Sequence, residues 1–198
     1  MSKVQVDTID TRSGTSTMQI GSTNTSTINI GVSGDTVNIP SGVTIANAGT
    51  ATGFGSNTPS FAVKLSGSQS IPNATNTIVA FNTEDFDTDS AYNTTSYRFV
   101  VPSGKAGKYF FSARLYMEYG NNANELGRLG IYKNATAVAI FGGLANGTEN
   151  QGKSLSINTI LDLAVSDYVD VRMYHNQGGA QDADSDSDFT YFYGYKLA

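Results

Sequence analysis

The 198-residue chain carries 17 Asp and Glu against 12 Lys and Arg, a formal charge of −5, and two of its acidic runs have spacing that chemistry could use. Asp182, Asp184, Asp186 and Asp188 alternate with Ala or Ser ahead of the last aromatic run, and Glu84, Asp85, Asp87 and Asp89 cluster in a predicted loop before Tyr92. Calcium takes about six to eight oxygen ligands, so oxygen-rich loops are the arrangement it requires. The segment from Asp182 to Asp188 lacks the central Gly and terminal Glu of an EF-hand loop, and alternation turns its acids to one side only where the chain is extended. Two readings stand on the same residues: a calcium site, or an acidic face relieved by solvent.

Other chemistry is sparse. His175, the one histidine, lies in Tyr174-His-Asn-Gln-Gly-Gly at the end of a predicted strand, with no partner in the sequence for a catalytic dyad or a zinc site. It reads as a surface or packing residue in a loop. Gly142-Gly143 and Gly178-Gly179 lack the Lys and the Ser or Thr that make a phosphate loop. Paired carboxylates would serve glycoside hydrolysis, but here they fall in exposed acidic loops. No catalytic residue is assigned, and the chain reads as a non-enzyme. The absence of cysteine removes disulfides, thiol chemistry and thiolate metal sites. Without a long Lys/Arg run there is no basic footprint for nucleic acid. The N-terminus has no apolar core of signal-peptide length, and no apolar run approaches a membrane span.

The elements that position these residues differ between the two parts of the chain. From Phe61 onward, strand follows strand: Phe61 to Leu65, Thr77 to Phe81, Ser96 to Val101, Gly107 to Tyr119, Arg128 to Tyr132, Ala137 to Phe141, Leu155 to Leu161, Tyr168 to Tyr174 and Phe189 to Leu197. The pattern predicts an all-β head over 59–198 built as two packed antiparallel sheets. Tyr109, Phe111, Tyr116, Phe189 and Tyr191 lie on strands where one face is core or subunit interface. The loops Glu84 to Thr95, Gly120 to Gly127, Gly142 to Lys153 and His175 to Asp188 are the segments suited to recognition.

Residues 13–58 have another character. Between Ser13 and Ser60 one residue, Asp35, is charged and one, Phe54, is aromatic, while 31 of 48 are Gly, Ser, Thr or Asn. Composition alone fits a flexible linker. Apolar residues recur in spaced pairs, however: Met18 and Ile20, Ile28 and Ile30, Val37 and Ile39, then Val43 and Ile45. Period two within each pair predicts short strands, with turns at Ser33-Gly-Asp35 and Ser41-Gly42. One copy has too few apolar groups to bury against itself. Three chains wound together would bring the pairs into a narrow column, each buried Val or Ile contributing about 1.5–3 kcal/mol. Residues 1–12 are an attachment leader in this scheme.

The head resembles the jelly roll of the complement C1q/tumour-necrosis-factor superfamily. The family pattern appears as Phe81-Asn82, then Tyr97-x-Phe99, Val101-Pro102, Gly104, Gly107, Tyr109 and Phe111. Leu129 to Tyr132 with Lys133-Asn134 matches the strand and turn where the family has Lys-Asn-Gly, with Ala135 in place of that Gly. Leu161-x-Leu163, Asp167-x-Val169-x-Val171 and the closing Phe189, Phe192, Gly194 and Leu197 follow in order.

The resemblance implies a compact homotrimer about a threefold axis, mounted on a stalk and engaged in recognition. This chain has neither Gly-x-y repeats nor heptads. Its Ile28-Asn-Ile-Gly31 and Thr36-Val-Asn-Ile-Pro-Ser-Gly42 segments are instead similar to the intertwined β-structured shafts of bacteriophage tail and capsid fibres. Together the two resemblances imply a trimeric fibre on a virion surface. Its leader would join other virion proteins, and its head would recognise a host-surface glycan or protein. The alternative is a structural or decorating capsid component with no receptor of its own.

Overall fold

Strands form here where apolar and polar residues alternate between turn formers, and where polar segments find a backbone edge to pair with. A computed structural model describes residues 20, 27–30, 33–44, 46, 57–117, 125–145, 153–186 and 188–197. The chain divides into two units, Met1–Thr52 and Gly53–Ala198. Among the described residues of the first there is no strand. Turns stand at 33–34 and 41–42, as expected, and the Val43 N–H donates to the Pro40 carbonyl at 3.2 Å.

The second unit holds β1 (Ser60–Lys64), β2 (Gln69–Ile71), β3 (Thr77–Ile78), β4 (Thr83–Asp87), β5 (Tyr92–Asn93), β6 (Arg98–Val100) and β7 (Gly107–Met117). It continues with β8 (Glu125–Lys133), β9 (Thr136–Ala145), β10 (Lys153–Leu163), β11 (Tyr168–His175), β12 (Gln181–Ala183) and β13 (Tyr191–Lys196). One sheet runs β2-β12-β7-β13-β1-β4, with β10 also paired to β7; the other runs β5-β6-β11-β8-β9, with β3 also paired to β11. The pairings are antiparallel. This is the expected antiparallel sandwich.

Parity decides which side chains close it. Along β7, Tyr109, Phe111, Ala113, Leu115 and Met117 turn inward, and along β11, Val169, Val171, Met173 and His175 do the same. Phe61 binds the two sheets, its ring 5.2 Å from those of Tyr92 and Phe99 and 5.0 Å, edge-on, from Phe192. Offset and edge contacts of this kind add about 0.5–1.5 kcal/mol each beyond burial. The Tyr92 hydroxyl donates to the Phe81 carbonyl at 3.0 Å, so the one polar atom of that ring is satisfied inside the core. Gly194 is required between Phe61 and Phe111, its partners on β1 and β7: a Cβ there would stand 2.6 Å from the Phe111 ring and 2.9 Å from the Phe110 carbonyl oxygen.

Several segments expected as loops are strands. Glu84, Asp85 and Asp87 lie on β4, and β5 follows within the same segment. Strand β9 runs on through Gly142 and Gly143 to Ala145, β8 begins at Glu125, and β12 occupies part of the His175 to Asp188 segment. The physical reason is common to them. Edge and short strands are held by backbone pairing and often carry charge, so side-chain periodicity does not reveal them.

Candidate functional site

The face of the second sheet that points away from the core carries large polar residues. Residues 168, 170, 172 and 174 of β11 alternate as Tyr, Asp, Arg, Tyr, and register places Asp170 opposite Tyr132, Arg172 opposite Gly130 and Tyr174 opposite Arg128 on β8. On the far side of β8, Gly130 faces Ile140 of β9. These strands and the β3 side of the sheet form a cleft of about 120 Å³ lined by Asn76, Arg128, Gly130, Tyr132, Arg172 and Tyr174, with Ile140 at its rim. Gly130 makes the floor possible, because a Cβ there would meet the Tyr132 ring at 2.8 Å.

The arginines of the cleft are held differently. Arg172 donates from Nε to Asp170 at 2.6 Å and from a terminal nitrogen at 3.1 Å, and its guanidinium lies 4.5 Å from the Tyr132 ring centre. The hydrogen bonds to Asp170 raise the Arg172 pKa further, opposed by partial burial. Asp170 is fully buried beneath this pair, so its charge is matched by a fork geometry. Arg128 is exposed and stands 5.9 Å from the Tyr174 ring centre. Among the described residues it has no acidic partner. Asn76 donates to the Tyr132 hydroxyl at 2.7 Å. Aromatic faces beside an arginine with no acidic partner among the described residues, and a hydroxyl, can hold a ligand, but they present no nucleophile with its base.

The residues singled out by spacing fall elsewhere. Of Asp182, Asp184, Asp186 and Asp188, three are on the surface or half-buried beyond β12, and among the described residues no group of three or more His, Cys, Asp or Glu is placed to hold a metal ion. Two of these acids serve their own backbone, Asp184 accepting from the Asp186 N–H at 2.9 Å and Asp186 from the Asp188 N–H at 3.0 Å. His175 ends β11, fully buried, and is a packing residue within a strand where a loop position was expected. Its Nε2 lies 2.8 Å from the Ile71 carbonyl, and Nδ1 receives the Gln177 N–H at 3.4 Å, an arrangement that suits the tautomer protonated on Nε2.

Of the residues expected to form the family core, Phe81, Phe99, Tyr109, Phe111, Phe192 and Gly194 are buried, whereas Tyr97, Pro102 and Gly107 are half-buried. Phe189 is the exception, at 41% exposed. It stands in the turn ahead of β13 and not on the strand expected there, with its ring against Tyr116 at 5.8 Å and Arg114 above it at 5.1 Å. Tyr92 and Phe61, absent from that set, occupy the centre instead. Burial first, and the Asp170 carboxylate second, push the Tyr92 phenol far up, while burial and Asp89 push Tyr109 up to about 12. Both phenols stay protonated near neutral pH.

The expected stalk core is exposed in the single chain: Ile20, Ile28, Ile30, Val37 and Ile39 all face outward, and Met18 lies outside the described residues, as does the leader 1–12. An isolated chain offers these side chains no neighbour to bury them. The charged Lys133-Asn134 motif has a structural task. Asp167 accepts from Lys133 at 2.8 Å, from the Asn134 amide at 2.7 Å and from the Ala164 N–H at 2.8 Å, while the Tyr168 N–H donates to the Asn134 carbonyl oxygen of the side chain at 2.9 Å. These bonds latch the β8–β9 turn to the β10–β11 turn.

Two antiparallel sheets around an aromatic core define a β-sandwich, with a polar and aromatic cleft on the outer face of one sheet. The description "C1q domain" matches residues 60–197, and the chain belongs to the C1q domain family. Membership makes the head a non-catalytic recognition domain. Among solved structures, the globular domain of zebrafish complement 1qA protein matches with a TM-score of 0.51 at 15% identity, over 71% of this chain and 98% of that chain. The Eiger TNF from S. frugiperda matches with a TM-score of 0.48 at 14% identity, over 70% of this chain and 90% of that chain. At such identities the first likeness shows the fold alone. No curated protein matches the chain. Among the described residues no helix is long and apolar enough to cross a membrane.

Proposed function

We propose that this chain is a homotrimeric virion fibre of the bacteriophage type, whose C1q-like head recognises a glycan or protein on the host surface. The observation that carries this reading is the exposure of the apolar pairs in the first unit. Ile20 and Ile30 are 63% and 69% exposed, in a segment with one charged residue between Ser13 and Ser60. A soluble chain hides such residues against copies of itself, because scattered apolar groups at strand spacing gain burial only when identical segments meet.

The outer face of the β7 sheet supports the same assembly. Tyr191, Tyr193 and Tyr195 of β13 line up with Phe110 of β7, the Phe110 and Tyr195 rings 5.5 Å apart, with exposed Phe86 and Ile160 on neighbouring strands. Aromatic surface of this extent suits a subunit interface. In the assembled particle the leader 1–12 joins other virion proteins, and the head faces outward.

Labelled full-length protein incubated with candidate host cells tests the recognition step. Saturable binding displaced by excess unlabelled protein is the expected result. Absence of saturable binding on every permissive host would leave a decorating capsid component as the function of the same fold.

A further inference from the structure

The cleft on the β11 sheet has a chemistry that selects among ligands. It offers one cation without an acidic partner among the described residues, Arg128, beside a second, Arg172, already neutralised by Asp170. Tyr174 and Tyr132 supply aromatic surface, the Tyr132 ring lying close over Gly130 with Arg172 stacked on it, and the 55% exposed Ile140 adds an apolar wall. The Tyr132 hydroxyl accepts from Asn76 and so keeps its own O–H for a ligand.

We propose that this cleft binds a single pyranose ring carrying a carboxylate, a uronate-type unit of a surface glycan. The proposal rests on the reading of the head as a recognition domain and deepens it. A ring covers the aromatic and apolar walls, which a bare anion would leave wet. The carboxylate pairs with the Arg128 guanidinium in a charge-assisted hydrogen bond, and the sugar hydroxyls meet the Tyr132 O–H. Because the chain as a whole is negative, attraction for the anion is local to Arg128 and does not come from the overall field.

Titration calorimetry and saturation-transfer NMR on the full chain, with methyl β-glucuronide, methyl β-glucoside and inorganic phosphate as probes, test this directly. The glucuronide is expected to bind at about 1 mM, as suits a ligand of this size. The glucoside, inorganic phosphate and the Arg128→Gln variant should each bind at least about tenfold more weakly, a loss of about 1.4 kcal/mol. Lys108→Gln, on the other sheet, should leave binding unchanged; equal loss there would reduce the effect to net charge and overturn the site. Equal affinity for glucoside or phosphate, undiminished binding by a folded Arg128→Gln, or no glucuronide binding would also overturn it. Host-cell binding that persists without glucuronide binding removes this proposal alone. Glucuronide binding without host-cell binding keeps the cleft and removes the host-recognition reading.

Discussion

Ala135 stands at φ 65° beside Asn134 at φ 49°, the left-handed pair of a two-residue hairpin turn between β8 and β9. Asn tolerates that conformation and Ala does so at a cost, so Ala135→Gly relieves strain that exceeds the added entropy of the unfolded chain. The variant should be more stable by about 0.5–1 kcal/mol, a rise of about 1–4 °C in thermal midpoint for a domain of this size. An unchanged or lowered midpoint would show that the turn is relaxed as it stands. Asp167, which latches this turn, is held well below the ordinary carboxylate range, at about 2, first by the Lys133 hydrogen bond and then by Asn134 and the Ala164 N–H. A depressed folded value stabilises the protein above the unfolded value and loses that contribution as pH falls, here between about pH 4 and pH 2. Asp167→Asn should therefore cost on the order of 1 kcal/mol at neutral pH and nearly nothing at pH 2, followed by thermal melts across that range. A pH-independent difference would mean that shape, not charge, makes the latch. At this scale Lys133, Asn134 and Asp167 were legible as motif members, and their task became visible only once two turns met.

At the scale of elements, the long strands β7, β10, β11 and β13 and the shorter β1 and β6 were readable because one face of each alternates into the core. Strands β2, β4, β5 and β12 were not, since their short or charged runs owe their form to backbone edges supplied by distant partners: β1 pairs β4, and β12 pairs β2. The same limit hid the cleft. Arg172 sits opposite Gly130 and Tyr174 opposite Arg128 through register across more than 40 positions of sequence, a relation that no motif carries. One local signal did exist. Tyr168, Asp170, Arg172 and Tyr174 alternate on the face of β11 away from the core, a run of polar and aromatic groups with Asp170 buried among them. Phe189 differs for another reason: its aromatic character suggests a core strand position, but it falls in the turn before β13 and stays exposed.

For the whole molecule, the proposed threefold assembly would give cover to two surfaces, one on the C1q head and one formed by the apolar pairs of the first unit. The head presents an aromatic sheet face, and the first unit leaves Ile28, Ile30, Val37 and Ile39 about half or more exposed. Burying each in a shared column would contribute about 1.5–3 kcal/mol per side chain. Placing Asp at both Ile28 and Ile30 would bring charges into that column without neutralising partners, at a cost that outweighs the burial. Sedimentation equilibrium of the full chain is the most direct measurement. The account predicts a single species at three times 20.9 kDa, weakened by the Ile28→Asp, Ile30→Asp double variant. A stable 20.9 kDa monomer, or a trimer that the double variant leaves untouched, would contradict respectively the assembly and the stalk's part in it.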